Sequence, residues 1–344
     1  MIKVSLKDGV IKEFDAGITA AEVAKNLGMG LYKAACVCRI DGEVADLRTV
    51  LDRDCALEIL TFDDEEGKKA FRHTASHILA QAVKRLFPAA KLAIGPAIDS
   101  GFYYDFDVDV PFTPEVLEKI EGEMKKIVKE GLQLEKFEMT PDEALAMMKE
   151  KDEPYKVELI EEHAGKGENI SFFKQGDFVE LCAGPHIPDT SRVKAFKLTS
   201  ATGAYWRGDS TKKMLQRVYG TAYTKAADLE EHLLRMEEAK KRDHNKLGRE
   251  LELFTTVDCI GQGLPILLPK GTFIVQTLQR FVEDEERARG WVRTKTPLMA
   301  KSDLYKISGH WDHYKDGMFI MGDEDKDDEV FALRPMTCPF QYQA

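Results

Sequence analysis

Two short histidine-bearing motifs constrain the fold of this chain more than any other feature. The first is His-Thr-Ala-Ser-His at 73–77 and the second is Cys-Ala-Gly-Pro-His at 182–186. The histidines of the first motif are four residues apart, so on a helix both rings project from one face. The glycine and proline of the second motif favour a tight turn over a helix interior. Three imidazoles and a thiol can therefore converge only if the fold brings residue 77 back to residue 182, and we look for the function there.

Composition narrows the class of protein. The 344 residues allow two or three domains of roughly 150 residues each. No segment approaches the ~18 apolar residues of a membrane span, and the N-terminus lacks the apolar centre of a signal peptide. The six cysteines show no paired spacing beyond Cys36-Val-Cys38, which favours a reducing cytoplasm over a disulfide framework. We therefore expect a cytoplasmic protein with no membrane association.

Charge argues against a chain that coats nucleic acid indiscriminately, because the net charge is −11. A local exception lies between residues 191 and 217, where the only acid is Asp209. The cations of this basic segment are Arg192, Lys194, Lys197, Arg207, Lys212, Lys213 and Arg217. Tyr205 and Trp206 lie within it and offer planar faces for stacking on an unpaired base. A solvated strand surface fits the same pattern, but the segment begins five residues after the second motif, so we interpret it as a nucleic-acid approach surface.

Residues 1–62 are typical of a small β-grasp domain. Asp-Gly pairs at 8–9 and 41–42 predict two hairpins. Thr19 and Glu22 predict a capping box, and Gly28 predicts the end of the helix that the box opens. The acidic run at 63–67 is typical of a linker.

Residues 63–224 predict a second, mixed α/β domain. A helix from Lys68 carries one apolar stripe, and the histidines at 73 and 77 fall on the opposite side, facing either solvent or a cleft. The stripe comprises Phe71, Ala75, Ile78, Leu79, Ala82 and Leu86. A strand over 101–106, a helix over 114–130 and a strand leading into Cys182 follow, and the domain ends near Tyr223.

The rest of the chain predicts a helical linker and a third region. Residues 225–253 predict one long helix. Its middle, residues 240–244, carries too little apolar surface to be buried alone, as expected for a bridge between domains, and we assign the linker to 225–248. Residues 249–344 contain an amphipathic helix over 271–289 and a strand over 291–296 that runs into Pro297.

Two chemistries fit the paired motifs. Three histidines and a cysteine could hold zinc, with water attack at an open position. The same groups, together with Lys156, could instead orient a water and a substrate ribose without metal. A cysteine nucleophile is less well supported, because no third orienting acid is evident beyond Glu180.

The motifs taken together resemble the bacterial-type threonyl-tRNA synthetase family along the whole chain. The N-terminal region resembles its TGS domain, and the two histidine motifs resemble the editing domain shared with alanyl-tRNA synthetase. The segment Lys-Lys-Arg-Asp-His-Asn-Lys-Leu-Gly-Arg-Glu-Leu-Glu-Leu-Phe at 240–254 is similar to the entry of a class II catalytic domain. Ser-Gly-His-Trp at 308–311 and Arg-Pro-Met-Thr-Cys-Pro at 334–339 are similar to the threonyl enzymes specifically.

This resemblance implies an α+β multidomain fold: a β-grasp TGS domain at 1–62, an editing domain at 63–224, a linker helix at 225–248 and part of a class II antiparallel-sheet domain at 249–344. It also implies a threonine–tRNA ligase that uses ATP with magnesium, and a tRNA partner. The helix and strand before Pro297 resemble motif 1, which implies a homodimer of the complete enzyme.

The same resemblance assigns roles to individual residues. An editing pocket that hydrolyses seryl-tRNA made in error would be lined by His73, His77, Cys182, His186, Lys156, Tyr104 and Glu180. His73 and Lys156 would activate and orient the water, and Tyr104 and Glu180 would bind substrate. In the aminoacylation site, Met336 would contact substrate and Cys338 would be one of three zinc ligands.

Three departures from the family pattern affect these expectations. The chain ends within the catalytic domain, before motif 2, motif 3 and the other zinc ligands, so we expect the chain as given to edit but not to activate threonine. Position 180 is Glu where Asp is expected, and position 183 is Ala where Arg is common.

Alternative functions are a free-standing hydrolase that edits seryl-tRNA in trans, a non-catalytic RNA-binding module, and a metal-dependent hydrolase with an unrelated small substrate. The motif 1 region argues against the first. Retention of all the pocket residues argues against the second.

Overall fold

The computed structural model describes residues 1–164 and 169–344, which form two compact units, 1–239 and 240–344. Helices and mostly antiparallel sheets alternate along the chain, which confirms the predicted α+β class. Within the described residues, no helix is both long and apolar enough to cross a membrane.

The first 61 residues form a five-stranded sheet with a helix packed on it. The elements are β1 (Ile2–Leu6), β2 (Ile11–Phe14), β3 (Ile18–Thr19), α1 (Ala20–Leu27), α2 (Met29–Ala34), β4 (Ala35–Ile40), β5 (Glu43–Ala45), β6 (Val50–Leu51) and β7 (Cys55–Thr61). The strand order is β2-β1-β7-β4-β5, with β1 and β7 parallel, as in a β-grasp fold. Both Asp-Gly hairpins are confirmed, as is the capping box of Thr19 and Glu22 at the start of α1.

The acidic run at 63–67 is not a linker, because α3 (Glu65–Leu86) begins within it. Asp64 is the residue before the helix, and its carboxylate accepts a 2.7 Å hydrogen bond from the Thr61 amide. Acidic residues at this end interact favourably with the helix dipole. The run therefore starts the helix that carries the first histidine motif.

The remainder of the first unit contains two further sheets around α3. Its elements are β8 (Lys91–Leu92), β9 (Ala97–Ile98), β10 (Gly101–Asp107), α4 (Pro114–Glu130), β11 (Leu134–Met139), α5 (Pro141–Glu150), α6 (Pro154–Ala164), β12 (Ile170–Gln175), β13 (Phe178–Leu181), β14 (Ala195–Tyr205), β15 (Met214–Tyr223) and α7 (Ala226–Lys241). One sheet has the order β14-β15-β10-β8 and the other has the order β11-β12-β13. The helix predicted over 114–130 is confirmed.

The histidine side of α3 faces a cleft rather than solvent. Every residue from Ala70 to Val83 is buried except His73, which is half-buried. The predicted apolar stripe is buried apart from Leu86, which is 38% exposed. The opposite side is also covered, because the segment after β13 packs against it.

The second unit departs from the sequence prediction at two places. The long helix is interrupted after α7, and Asp243 caps a separate helix, α8 (His244–Glu250), by accepting from the Lys246 amide at 2.9 Å. The strand predicted over 291–296 is wrong: these residues form no strand. The other elements are β16 (Phe254–Thr255), β17 (Ile266–Leu267), α9 (Pro269–Ala288), β18 (Met299–Lys301), α10 (Ser302–Ile307), α11 (His310–Tyr314), β19 (Ile320–Met321), β20 (Phe331–Leu333) and α12 (Cys338–Gln341).

Candidate active site

The two histidine motifs meet at one point in the first unit. The potential ligand atoms of His73, His77, Cys182 and His186 all lie within 4.8 Å of one another. The sulfur of Cys182 lies 3.5 Å from Nε2 of His73 and 3.3 Å from Nε2 of His186. The structure thus brings together the four side chains that the sequence predicts to converge.

A tight turn places the second motif against α3. Gly184 has a φ of +76° and precedes a cis bond to Pro185, and its amide donates to the Cys182 sulfur at 3.2 Å. A Cβ at this glycine would lie 2.7 Å from the ring of Phe173 on β12. Both the backbone conformation and the close ring therefore require glycine here.

Thr74 fixes the orientation and the tautomer of His186. Its hydroxyl donates to the Ala70 carbonyl at 2.9 Å and accepts from the Ile187 amide at 3.2 Å. Since the single hydroxyl hydrogen is used, the 3.0 Å contact with His186 must be a donation from Nδ1 of the ring. Nε2 of the neutral ring then presents a lone pair toward Cys182. The sequence analysis missed Thr74, although it lies inside the first motif.

Burial makes the four groups electrically neutral near pH 7. Burial, aided by the charge of Lys156, lowers the pKa of His73 to about 4. It lowers the pKa values of His77 and His186 well below 6.5, and it raises the pKa of Cys182 to about 12. A thiolate nucleophile is therefore disfavoured, because the thiol stays protonated, whereas neutral imidazoles can accept a proton.

A buried ion pair lies beside the histidines. Lys156 on α6 and Glu180 on β13 form it, and the hydroxyl of Tyr104 on β10 donates to Glu180 Oε1 at 2.8 Å. Lys156 Nζ also lies 3.2 Å from the Tyr104 hydroxyl. Glu180 Oε2 is buried with no partner among the described residues. The fixed ammonium supplies a positive charge at the edge of a neutral cluster.

These groups line a cavity of about 590 Å³, within the roughly 300–1,000 Å³ typical of ligand pockets. Its polar lining includes His73, His77, Tyr104, Lys156 and Glu180. Cys182 and His186 contact the two histidines of α3 without lining the cavity. A small ester could enter beside neutral imidazoles, a hydroxyl and an ammonium. We call this cavity the histidine pocket.

The basic segment at 191–217 differs from its prediction. Six of its seven cations pair with carboxylates of the first unit: Arg192 with Asp189, Lys197 with Glu121, Arg207 with Glu158 and Glu162, Lys212 with Glu158, Lys213 with Asp107, and Arg217 with Asp105. Trp206 is 3% exposed and donates to Glu158, so its face is not free to stack on a base. Of the two aromatic residues, Tyr205 is exposed.

The residues predicted for an aminoacylation site lie in the second unit. Met336 is 48% exposed, and Cys338 is exposed at the first residue of α12. Among the described residues, the four-residue cluster in the first unit is the one group of three or more potential metal ligands, and Cys338 is not part of it.

Comparisons with known proteins match two domain models and several curated relatives. The TGS domain model matches residues 2–61, and the model of the threonyl and alanyl tRNA synthetase second additional domain matches residues 170–219. A threonine–tRNA ligase of Clostridium botulinum (strain Alaska E43 / Type E3) is 65% identical over 342 residues, which are 99% of this chain and 53% of that protein. A threonine–tRNA ligase of Clostridium perfringens (strain 13 / Type A) is 63% identical with the same coverage.

A solved structure also matches in part. It is the RNA binding domain of threonyl-tRNA synthetase from Cryptosporidium parvum Iowa II, with 36% identity over 29% of this chain and 24% of that one. Its TM-score of 0.27 is too low to describe the fold. The chain spans about half the length of the curated relatives that it matches.

Proposed function

We propose a function for this chain from its similarity to threonine–tRNA ligases, one of which is 65% identical to it over 99% of this chain and 53% of that protein. The proposed activity is hydrolytic editing: the histidine pocket cleaves the ester between serine and the threonine-specific tRNA. The observation that carries this proposal is the convergence of His73, His77, Cys182 and His186 beside the Lys156–Glu180 pair.

The proposed reaction uses groups whose protonation states suit ester hydrolysis. Neutral His73 accepts a proton from a water whose oxygen attacks the ester carbonyl carbon. The Lys156 ammonium, held by Glu180 and Tyr104, stabilises the negative charge that develops on the carbonyl oxygen. The bond to the ribose oxygen then breaks, that oxygen takes the proton, and serine and the free tRNA leave. Cys182 and His186 position the α3 histidines and stay neutral.

Discrimination at the synthetic site explains why a second site is needed. Serine differs from threonine by one methyl, which is worth roughly 1–3 kcal/mol or about 10–200-fold in a binding pocket. A hydrolytic site that accepts the smaller amino acid supplies the remaining selectivity.

The same cluster also fits a zinc ion. Sulfur–nitrogen separations of 3.3 and 3.5 Å suit tetrahedral ligands, and Thr74 already orients His186 as an outer hydrogen-bond partner would. His73, His77, Cys182 and His186 would hold the ion, which would supply Lewis acidity. Four protein ligands leave no open position for water, however, so a fully ligated zinc would be structural rather than catalytic. This favours the metal-free reaction.

For the whole protein we propose ATP-dependent attachment of threonine to its tRNA in the cytoplasm, with magnesium, as a homodimer. Cys338 would be a zinc ligand and Met336 a substrate contact of that site. We propose the domain bounds 1–62, 63–224, 225–248 and 249–344, with the break at residues 242–243 lying inside the third segment.

The test is deacylation of seryl- and threonyl-esters of the threonine-specific tRNA by this chain. We expect serine-selective hydrolysis and a loss of about 10²–10⁴-fold in His73→Asn. His313→Asn, an exposed histidine of the second unit, is the matched control and should behave as wild type. Absence of serine-selective hydrolysis by the wild type, or full activity of His73→Asn, would contradict the proposal.

A further inference from the structure

A second cavity of about 510 Å³ adjoins the histidine pocket. One wall comes from the first domain and the other from the second. The lining residues are Val44, Ala45, Asp46, Arg48 and Thr49 on one side, and Glu135, Lys136, Ala183 and Pro185 on the other. Val44 and Pro185 line both cavities, so the two are adjacent. A ligand that extends out of the histidine pocket on this side enters the second cavity, which we call the outer cavity.

Arg48 is the unusual group of the outer cavity. Its Nη2 contacts Asp46 Oδ1 at 2.7 Å, whereas its Nη1 is buried without a hydrogen-bond partner among the described residues. A buried donor without a partner is costly, and native structures keep one for a reason. Burial is the main cause of the lowered pKa of His186, and the charge of Arg48 adds a small contribution, so Arg48 acts within electrostatic reach of the predicted catalytic cluster.

The chemistry of the guanidinium points to a phosphate. A guanidinium binds phosphate oxygens through its planar N–H fork. The Arg48 side chain is 30% exposed and lines the outer cavity, so its guanidinium can meet an anion there while Nη2 keeps its contact with Asp46. Lys136, which pairs with Glu138 at 3.2 Å, adds a second cation to the cavity lining, while Glu135 on the same strand adds a carboxylate.

We propose that Arg48 binds the phosphodiester next to the terminal nucleoside of the tRNA while that nucleoside's ester occupies the histidine pocket. This inference rests on the proposed editing function and adds a positioning residue from the first domain. The first domain thereby contributes directly to substrate binding. A contact to the phosphate fixes the position of the single-stranded tRNA end along the protein, while the ester is held in the histidine pocket.

The test compares two substrates in Arg48→Met, which keeps the stem but removes the charge and the fork. With seryl-tRNA, we expect the KM to rise about tenfold at unchanged kcat, and the slope of log KM against log salt to fall by about 0.7. With 3′-O-seryl-adenosine, which lacks the phosphodiester, we expect no change. Arg48→Lys should recover only part of the affinity for seryl-tRNA.

Controls separate binding from folding. Arg53→Met removes an exposed arginine of the same domain and should match wild type on both substrates. Glu135→Gln removes the opposing carboxylate and should lower the KM for seryl-tRNA. An unchanged KM in Arg48→Met, or an equal loss on both substrates, would overturn the inference. If wild type hydrolyses neither substrate, it is the editing function that fails.

Discussion

The hydroxyl of Thr74 lies 3.0 Å from Nδ1 of His186, although 112 positions separate the two residues. This contact joins the two motifs, because Thr74 belongs to the first and His186 to the second. Since the hydroxyl hydrogen is already donated to Ala70, the contact also decides which nitrogen of His186 carries its proton. Orientation of the cluster therefore depends on a residue with no direct role in the proposed reaction.

Thr74→Val removes this hydroxyl while keeping the shape of the side chain. We expect deacylation of seryl-tRNA to fall about 10–100-fold, as for other outer partners that orient a histidine. Stability should fall by about 1–3 kcal/mol because buried donors of His186 and Ile187 lose their acceptor. Thr74→Ser keeps the hydroxyl and serves as the control. Equal activity of the Val and Ser variants in single-turnover assays would show that the hydrogen bond is not needed.

Gly184→Ala should disturb the turn that presents Cys182 and His186. The alanine would have to adopt an unfavourable positive φ, and its methyl carbon would lie 2.7 Å from the Phe173 ring. Gly9→Ala is a matched control, because Gly9 has a φ of +82° with nothing within 4 Å of the added carbon. Both variants should lose about 1–2 kcal/mol from backbone strain. Gly184→Ala alone should lose further free energy of unfolding, measured with denaturant, and should also lose deacylation activity. Identical behaviour of the two variants would show that the contact with the Phe173 ring does not matter.

The sequence predicted those features that depend on neighbours along the chain. The Thr19 capping box and the Asp-Gly hairpins are set by contacts within a few residues, so their signals are complete in the sequence. The acidic run at 63–67 was ambiguous because the same charges suit a linker and the start of a helix.

Features that depend on contacts between residues far apart in the sequence could not be predicted from the sequence. A helical projection identifies the apolar side of α3 but not that its histidine side is covered by a segment more than a hundred positions away. The basic segment looked unopposed because its carboxylates come from elsewhere, as for Arg217, which pairs with Asp105. Likewise, Arg48 and Thr74 carry no signal until the fold places them beside the second motif.

Acid should destabilise the fold through the histidine cluster. The pKa of His73 falls from 6.5 in the unfolded chain to about 4 in the fold. Between these values the unfolded chain binds more protons, so the free energy of unfolding decreases as the pH falls, by about 1.4 kcal/mol per pH unit for this group. Above pH 6.5 the group contributes nothing. Denaturant unfolding of His73→Gln should show a shallower decrease over this range than wild type, whereas His313→Gln should show the same one.

Loss of one partner of the Lys156–Glu180 ion pair should destabilise the fold, because the other partner is then a buried charge without a counter-ion. Glu180→Leu leaves the ammonium without its carboxylate and should lose about 3–5 kcal/mol. Replacing both residues, as Lys156→Met with Glu180→Leu, should recover most of that loss because no isolated charge remains. Neither variant should hydrolyse seryl-tRNA, whereas Glu180→Asp should keep the pair and part of the activity. Deacylation by the double variant would exclude the proposed role of the ammonium.

Metal analysis of the purified chain should separate the two uses of the cluster. If the histidines act without metal, the chain should contain less than about 0.1 zinc per molecule, and a chelator should leave deacylation unchanged. The reason is that Cys182, a buried thiol with a pKa of about 12, must lose its proton before it binds an ion. Cys182→Ser tests the same point, since an alcohol is a poor zinc ligand but can replace the thiol as a neutral hydrogen-bonding group. We expect this variant to retain most of its stability. The contrary result is one zinc per molecule in the wild type, with both the zinc and the fold lost in Cys182→Ser. That result would identify a structural metal centre, and a group other than His73 would then have to activate the water.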